Sequence, residues 1–306
     1  MRHALESRRV LAPLLIAPAV IFMALVVAVP FAWAIYLSFT NAIGGSLSGD
    51  WVGFDNFTSA WADENFRRAL RNTFIFTLAS QALVLVGAAV LSNYLVRDFR
   101  GRWIVRFLVV LPWAAPVVLS TIGWLWLLDS LYSVVNWTLA RLQLDEGLVS
   151  LLAAVNIEEE AQAPLQWLGR PNLALIAITL VHAWRILPFA VVIFIAGRAS
   201  IPNEVEDAAR VDGANEWQIF RRIIIPVLSR TLVVVLTTLV IQSLKVFDLI
   251  MAIAGQTNYT TQVPATEMWV ELTRGDSAKS AAIGTVLLLI VAVLIVPYLV
   301  ATYRQE

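Results

Sequence analysis

The sequence predicts an all-α transmembrane protein with six membrane-spanning helices. Of its 306 residues, 59% are hydrophobic and 14% are charged, and the mean hydropathy is +0.75. Soluble globular proteins carry about 25% charged residues. Six stretches are apolar and almost free of charge over about the 20 residues that a helix needs to cross a bilayer. Because lipid cannot satisfy open peptide groups, each stretch must be helical.

The first three predicted spans lie in the N-terminal part of the chain. Residues 10–36 are densely apolar and run into a turn-rich GGSLSGD stretch, which ends the first helix. Residues 72–96 contain no charged residue, and a short basic turn separates them from the third span, residues 104–128. Pro112 and Pro116 are expected to kink that third helix.

The last three predicted spans contain a few polar positions. Residues 172–197 form the fourth span, which is apolar except for Arg185 and contains Pro188, a further expected kink. Residues 223–250 form the fifth span, and residues 280–303, without any charge, form the sixth. Charged and polar groups inside such spans are costly in lipid, so they are candidates for function.

The placement of arginine predicts the orientation in the membrane. Arginines cluster near the N-terminus, in the turn after the second span and in residues 198–222. The positive-inside rule then puts both termini and residues 198–222 on the cytoplasmic side. The first span is too long for the apolar core of a signal peptide, so we expect it to be retained.

The sequence does not favour an enzyme. It contains no cysteine, and its two histidines, His3 and His182, are far apart, so a metal site or a serine–histidine site has little support. Neither a phosphate-binding GxxxxGK[ST] loop nor the HExxH or GxSxG patterns occur. We therefore expect no catalytic residue and no metal ligand, and the balanced charge gives no indication of nucleic-acid binding.

Residues 203–226 interrupt the apolar chain with a charged segment. Asn203 with Glu206, and Asn215 with Gln218, have the spacing of capping boxes, which begin helices. Gly213 between them suits the left-handed residue that ends a helix. The spacing predicts two short helices at an angle, the second leading into the fifth span. From the residues alone, a docking surface and a plain amphipathic connector remain equally open.

The same segment resembles the EAA loop of ABC importer permeases, which reads Glu-Ala-Ala, three residues, Gly, nine residues, Ile-x-Leu-Pro. The chain has Asp207-Ala208-Ala209, then Gly213, then Ile223-Ile224-Ile225-Pro226 at the same spacing, with Asp for the first Glu and Ile for the Leu. Short stretches along the rest of the chain look like MalF-type carbohydrate permease subunits: Phe54-Asp55-Asn56-Phe57, Asn72-Thr73, Leu111-Pro112-Trp113, Asn136, Trp167-Leu168, Ile201-Pro202, Asp212-Gly213-Ala214 and Phe247-Asp248.

This resemblance implies a single permease domain over residues 1–306 with the type I ABC importer (MetI-like) fold and cytoplasmic coupling helices at about 203–222. It implies a bacterial or archaeal cell membrane and a sugar substrate. The implied partners are a second, MalG-type permease, two ABC ATPases that bind ATP and Mg²⁺, and an external solute-binding protein. No cofactor is expected on this chain. The residues implied to couple to the ATPases are Glu206, Asp207, Ala208, Ala209, Asp212, Gly213, Ala214, Phe220, Ile223 and Pro226.

Polar and aromatic groups within the spans are candidates for the substrate pathway. Lys245 and Asp248 are expected on one face of the fifth helix, either paired with each other or facing solute. Arg185 either pairs within the protein or lines the pathway. The complete candidate set is Trp124, Trp184, Arg185, Gln242, Ser243, Lys245 and Asp248.

The alternative functions differ in whether they explain the charged residues 207–226. A permease for another solute, such as a glycerol phosphate or a polyamine, would keep the coupling segment, and Arg185 and Lys245 would suit an anion. A secondary transporter, a channel or a membrane enzyme would leave residues 207–226 without a purpose.

Overall fold

A computed structural model describes residues 8–154, 162–255 and 260–303, and they are almost entirely helical. The predicted all-α class is confirmed: in these residues the only β-structure is an isolated bridge between Thr40 and Trp51. The helices are α1 (Arg8–Met23), α2 (Val29–Leu37), α3 (Asp55–Ala62), α4 (Glu64–Leu95), α5 (Arg102–Ala114), α6 (Val117–Leu127), α7 (Val134–Arg141), α8 (Asp145–Ala154), α9 (Pro171–Arg198), α10 (Asn203–Val211), α11 (Glu216–Ile219), α12 (Ile225–Leu244), α13 (Asp248–Ala254), α14 (Pro264–Thr273) and α15 (Ser277–Tyr303).

Four helical stretches of the described chain are long and apolar enough to cross a membrane. They are Leu11–Leu37, which joins α1 and α2 through a π-helical turn, together with Glu64–Leu95, Pro171–Arg198 and Ser277–Val296. Two further pairs of helices meet the same test but are bent, α5 with α6 and the end of α12 with α13. If each bent pair is one span, the six predicted spans are all present.

The third span bends at Pro116, one of the two positions at which a kink is expected, and the bend is sharp enough to divide it into two helices. The axes of α5 and α6 differ by 102°. The break falls at Ala115, whose ψ of 139° is extended, because the ring of Pro116 disfavours the helical conformation in the residue before it. Pro112 lies inside α5, and α9 runs without interruption across Pro188.

The chain divides into two compact units. The first contains the described residues up to Glu64 together with Glu267–Val293. Backbone hydrogen bonds tie its α2–α3 loop to the α14–α15 turn, from Gly44 to Gly275 at 2.7 Å and from Ala278 to Ala42 at 3.0 Å. None of the apolar window in its first helix is buried, which leaves that helix for lipid or for another subunit.

The second unit contains Asn65–Thr266 and the described residues from Leu294 onwards. Its central helix is α9, which packs against α5, α12 and α13, while α6 packs against α13. One apolar cluster lies towards the C-terminal end of α9, around Ala190 and Phe194, and a second lies towards its N-terminal end, around Leu173 and Ile178. α9 therefore connects both ends of this unit.

Candidate functional site

The charged segment at residues 203–226, called here the coupling segment, consists of α10, a turn, α11 and the beginning of α12. Gly213 occupies the turn with φ of +83°, as predicted, because a residue without a Cβ adopts that conformation without strain. The N–H of Ala214 then donates to the carbonyl of Ala209 at 2.9 Å, which closes the end of α10. The turn is thus set by one glycine.

One of the two predicted capping boxes is present. The side chain of Asn215 accepts from the N–H of Gln218 at 2.9 Å, and the Gln218 side chain accepts from the N–H of Asn215 at 2.8 Å. The box predicted at Asn203 is wrong, because α10 already begins at Asn203 and its capping position falls on Pro202. Glu206 instead uses its carboxylate in ion pairs.

Those ion pairs form a network beneath α10. Glu206 accepts from Arg198 at 3.0 Å and from Arg210 at 3.4 Å. Arg210 also contacts Asp207 at 2.9 Å and Glu216 at 3.4 Å. The Glu206 side chain is 17% exposed, whereas that of Asp207 is 70% exposed. Glu206 therefore faces the protein and Asp207 faces outwards.

The network also reaches the long helix α4. Arg198, at the end of α9, donates to the side chain of Asn93 on α4, and Arg97 just beyond α4 contacts Glu216 at 3.2 Å. Between these groups lies an open polar cavity of about 780 Å³. The coupling segment is thereby tied by charge to α4 and α9, and by the chain itself to α12.

The remaining predicted coupling residues divide by burial. Ala208, Asp212, Gly213 and Pro226 are exposed. The half-buried residues pack against the apolar cluster at the end of α9 and are Ala209, Ala214, Phe220 and Ile223. The outer surface also carries apolar side chains outside the predicted coupling set: Val205 is 42%, Trp217 65% and Val211 87% exposed. A polar segment that exposes such side chains has the composition of a docking surface.

The expected helix face of Lys245 and Asp248 does not exist. α12 ends at Leu244 with Lys245 as its capping residue, and α13 begins at Asp248 after a bend of 43°. Both side chains are exposed, and in the part of the chain that the structure describes they do not pair with each other. They flank a break in the helix instead of sharing one face.

Ser243 lies in a buried polar cluster between three helices, while Gln242 beside it is half-buried. The Ser243 hydroxyl accepts from the Gln81 amide at 3.0 Å and lies 3.1 Å from Nε2 of His182. The Ser80 hydroxyl is 3.4 Å away. These contacts join α4, α9 and α12. Sequence reasoning considered charges inside the spans and overlooked Ser80 and Gln81, although polar groups in an apolar stretch were the available signal.

The structure brings together two of the other pathway candidates, Trp124 and Trp184. The rings of Trp124 on α6 and Trp184 on α9 meet edge to face with centroids 5.3 Å apart. Arg185 follows Trp184 and is half-buried, and within the described chain its guanidinium has neither an ion pair nor a hydrogen bond. A charge inside an apolar helix is costly in lipid, so Arg185 remains a candidate for the pathway.

A family comparison decides the membership of the chain. The model of the family described as "Binding-protein-dependent transport system inner membrane component" matches residues 84–305, which include the whole coupling segment. The chain belongs to this family. It is a permease subunit of an ABC importer and a multi-pass membrane protein, and the resemblance to carbohydrate-class permeases is confirmed.

Individual relatives and a solved structure agree with this membership. A probable ABC transporter permease protein of Pyrococcus horikoshii is 31% identical over 299 residues, with 96% of each chain covered. The sulfoquinovosyl glycerol transport system permease protein SmoG of Agrobacterium fabrum is 32% identical over 245 residues, covering 79% of this chain and 73% of SmoG. A chain of a bacterial ABC transporter involved in the import of the acidic polysaccharide alginate superimposes with a TM-score of 0.76 at 22% identity, covering 96% of this chain and 95% of that one. This likeness confirms the predicted importer fold.

We expect Ser243→Ala to destabilise the protein by about 1–3 kcal/mol, because the buried Gln81 amide and the His182 ring lose their shared partner. Thermal unfolding of the purified protein in detergent measures the loss. Ser150→Ala is the matched control, since the exposed Ser150 hydroxyl bonds only to Gly147 of its own helix. Equal unfolding midpoints for both variants would show that the polar cluster contributes nothing.

Proposed function

We propose that the chain is the sugar-translocating permease subunit of an ATP-driven importer, and that its coupling segment docks on a partner ATPase. The observation that carries this proposal is the coupling segment: its outer surface exposes Asp207 and apolar side chains, while ion pairs hold its inner surface to α4 and α9. A segment held in this way can pass a movement of the ATPase on to α4 and α9 as a rigid unit. The chain hydrolyses no ATP in this scheme.

The proposed assembly contains a second, MalG-type permease, two ABC ATPases that bind ATP and Mg²⁺, and an external solute-binding protein. Both termini and the coupling segment then face the cytoplasm of a bacterial or archaeal cell. In support, another solved structure similar to this chain is a bacterial alginate ABC transporter in complex with a periplasmic protein that holds an alginate pentasaccharide. The candidate docking sites for the solute-binding protein are the loops on the opposite side, residues 41–67, 129–170 and 255–278, of which residues 155–161 and 256–259 lie outside the described chain.

The two neighbouring acids are assigned different roles. Asp207 aligns with the leading acid of the EAA pattern and is exposed, so we assign it the contact with the ATPase. Glu206 is mostly covered and bridges Arg198 and Arg210, so it positions α10. Asp207 also contacts Arg210, which orients its carboxylate. The sequence alone left open which of the two acids meets the partner.

Movement of the coupling segment would be passed to the spans along two routes. One is the ion pair and hydrogen bond of Arg198, which reach α9 and α4. The other is the continuous helical chain from α11 through the π-helical turn Phe220–Ile224 into α12. Closure of the ATPase pair would thus rotate the helices around a central site and change the side on which it opens, which is alternating access.

The proposed pathway lies where helices are interrupted. Interrupted spans line the binding sites of many transporters, because their ends present backbone groups to solute. Trp124 lies on α6, the helix that follows the break in the third span, and meets Trp184 of α9; Arg185 is the next residue of α9, and Trp rings offer stacking faces for a sugar. Gln242, Lys245 and Asp248 lie at the break in the fifth span. Ser243 enters the proposal as a packing residue, because its hydroxyl is already used.

A more specific candidate is a sugar that carries an acidic group. The unpartnered guanidinium of Arg185 favours an anion and disfavours a polyamine. Two similar proteins have names consistent with such a solute: one is a sulfoquinovosyl glycerol permease, and the other belongs to an importer of the acidic polysaccharide alginate.

Gly213→Asp tests the coupling role. At a φ of +83° a side chain adds about 1–2 kcal/mol of strain, which shifts the turn that sets α10 against α11. We expect uptake by the assembled importer to fall at least about tenfold, with normal insertion in the membrane. Gly101→Asp is the control, since Gly101 has the same φ of +83° and open space for a Cβ but lies outside the coupling segment. Normal uptake by Gly213→Asp would exclude the docking role.

Arg185→Gln tests the acidic-sugar candidate. For an anionic solute we expect uptake to fall at least about tenfold, and Arg185→Lys to retain a larger share because it keeps the charge. Uptake of the ligand of the solute-binding protein, measured in proteoliposomes, provides the comparison. Arg100→Gln, in the exposed turn between α4 and α5, is the control. Equal uptake by wild type and Arg185→Gln would contradict the candidate while leaving the permease assignment intact.

A further inference from the structure

Three acidic side chains meet inside the first compact unit, far along the chain from one another. Asp63, Glu267 and Glu271 each bring one carboxylate oxygen within 4.8 Å of the others. Asp63 is the capping residue at the end of α3, and Glu267 and Glu271 lie one turn apart on the same face of α14. These three residues are called the carboxylate cluster. In the sequence, the only sign of this cluster is the four-residue spacing of Glu267 and Glu271, and no site was predicted from it.

The surrounding backbone holds the carboxylate cluster in place. The hydroxyl of Ser280 on α15 donates to the carbonyl of Met268 on α14 at 2.8 Å. The N–H of Lys279 donates to the side chain of Asp276 at 2.8 Å. α14 and α15 are thereby fixed as a tight corner. That corner carries Glu267 and Glu271, and the ammonium of Lys279 on α15 holds Asp63 of α3 beside them.

Two cations neutralise part of the carboxylate cluster. Nζ of Lys279 lies 2.7 Å from Asp63 and 3.1 Å from Glu271, and Arg274 contacts Glu271 at 2.9 Å. Glu267 is left out of this arrangement. Its side chain is 0% exposed, and neither carboxylate oxygen has a hydrogen-bond partner in the described chain.

An ionised carboxylate buried without a partner is costly. Burial, and then the neighbouring charges of Glu271 and Asp63, raise the pKa of Glu267. The carboxylate cluster thus contains a buried pair of oxygens without a hydrogen-bond partner in the described chain, beside two other carboxylates. The group that would satisfy it must be positively charged and small enough for a closed corner.

We propose that the carboxylate cluster binds a divalent hard cation, for which Ca²⁺ is the best fit. Calcium takes carboxylate oxygens at about 2.3–2.6 Å, so oxygens on opposite sides of one ion are about 4.6–5.2 Å apart, which accommodates the separation found. Magnesium holds its ligands closer and usually keeps several waters, so it suits this dry corner less well. The ion would join the end of α3 to α14.

Lys279 gives the proposal a specific consequence. Its ammonium lies between two of the three ligands, so it competes with the ion for them and holds them in position when the ion is absent. Removal of the ammonium should therefore destabilise the unit without Ca²⁺ and strengthen Ca²⁺ binding. Removal of Glu267 should abolish binding, because no other ligand of the carboxylate cluster is without a partner.

Thermal unfolding of the full-length protein in nanodiscs, stripped with a chelator, tests the site. With CaCl₂ at about 1 mM we expect the midpoint of wild type to rise by at least about 2 °C. Glu267→Gln should show no rise. Lys279→Met should unfold earlier than wild type without CaCl₂ and show the largest rise with it. Glu146→Gln, at an exposed acid of α8, should behave as wild type.

Two results would overturn the proposal. One is a CaCl₂ response that is absent from both wild type and Lys279→Met, or equally present in Glu267→Gln. The other is a Lys279→Met variant that is restored by lowering the pH and not by CaCl₂, which would mean that a proton on Glu267 replaces the cation. Neither result bears on the coupling segment, because uptake is not the readout.

Discussion

The architecture depends on the buried end of α9, where the guanidinium of Arg198 connects three helices. Its side chain is 9% exposed and meets Glu206 of α10 and Asn93 of α4. A charge this well covered depends on its counter-ion, so loss of the Glu206 carboxylate would leave the Arg198 guanidinium largely covered and without its ion-pair partner. The same interaction that stabilises the coupling segment therefore makes it move together with the spans.

Two breaks in the spans complement this rigid connection. Between α5 and α6 the chain turns through 102°, and between α12 and α13 through 43°. α9, which packs against both pairs, is one uninterrupted helix from Pro171 to Arg198. The result is an uninterrupted helix linked to the coupling segment at one end and lined by broken helices along its length. This combination suits a transporter in which solute passes along the uninterrupted helix α9.

Sequence patterns predicted most of this because they reflect local chemistry. Apolar windows located the spans, Gly213 identified the turn, and Asn215 with Gln218 identified the beginning of α11. The failures have different causes: apolar patterning treated the fifth span as continuous across Lys245–Phe247, the spacing of Asn203 and Glu206 suggested a capping box that the helix start at Asn203 excludes, and Pro188 was expected to kink a helix that continues across it. Contacts between distant positions were not accessible either. The exposure that separates Asp207 from Glu206, and the convergence of Asp63 with Glu267, exist only once the helices are packed.

The central claim, that the coupling segment faces a partner ATPase through Asp207, has a direct test because the chain contains no cysteine. Asp207→Cys carrying a benzophenone photo-crosslinker should form an adduct with the co-expressed ATPase in membranes. The same label at Glu146→Cys, exposed on α8 and assigned to the opposite side, should not. An ATPase adduct at residue 207 alone is the result that the account predicts. Failure at residue 207, or an ATPase adduct at residue 146, would contradict it.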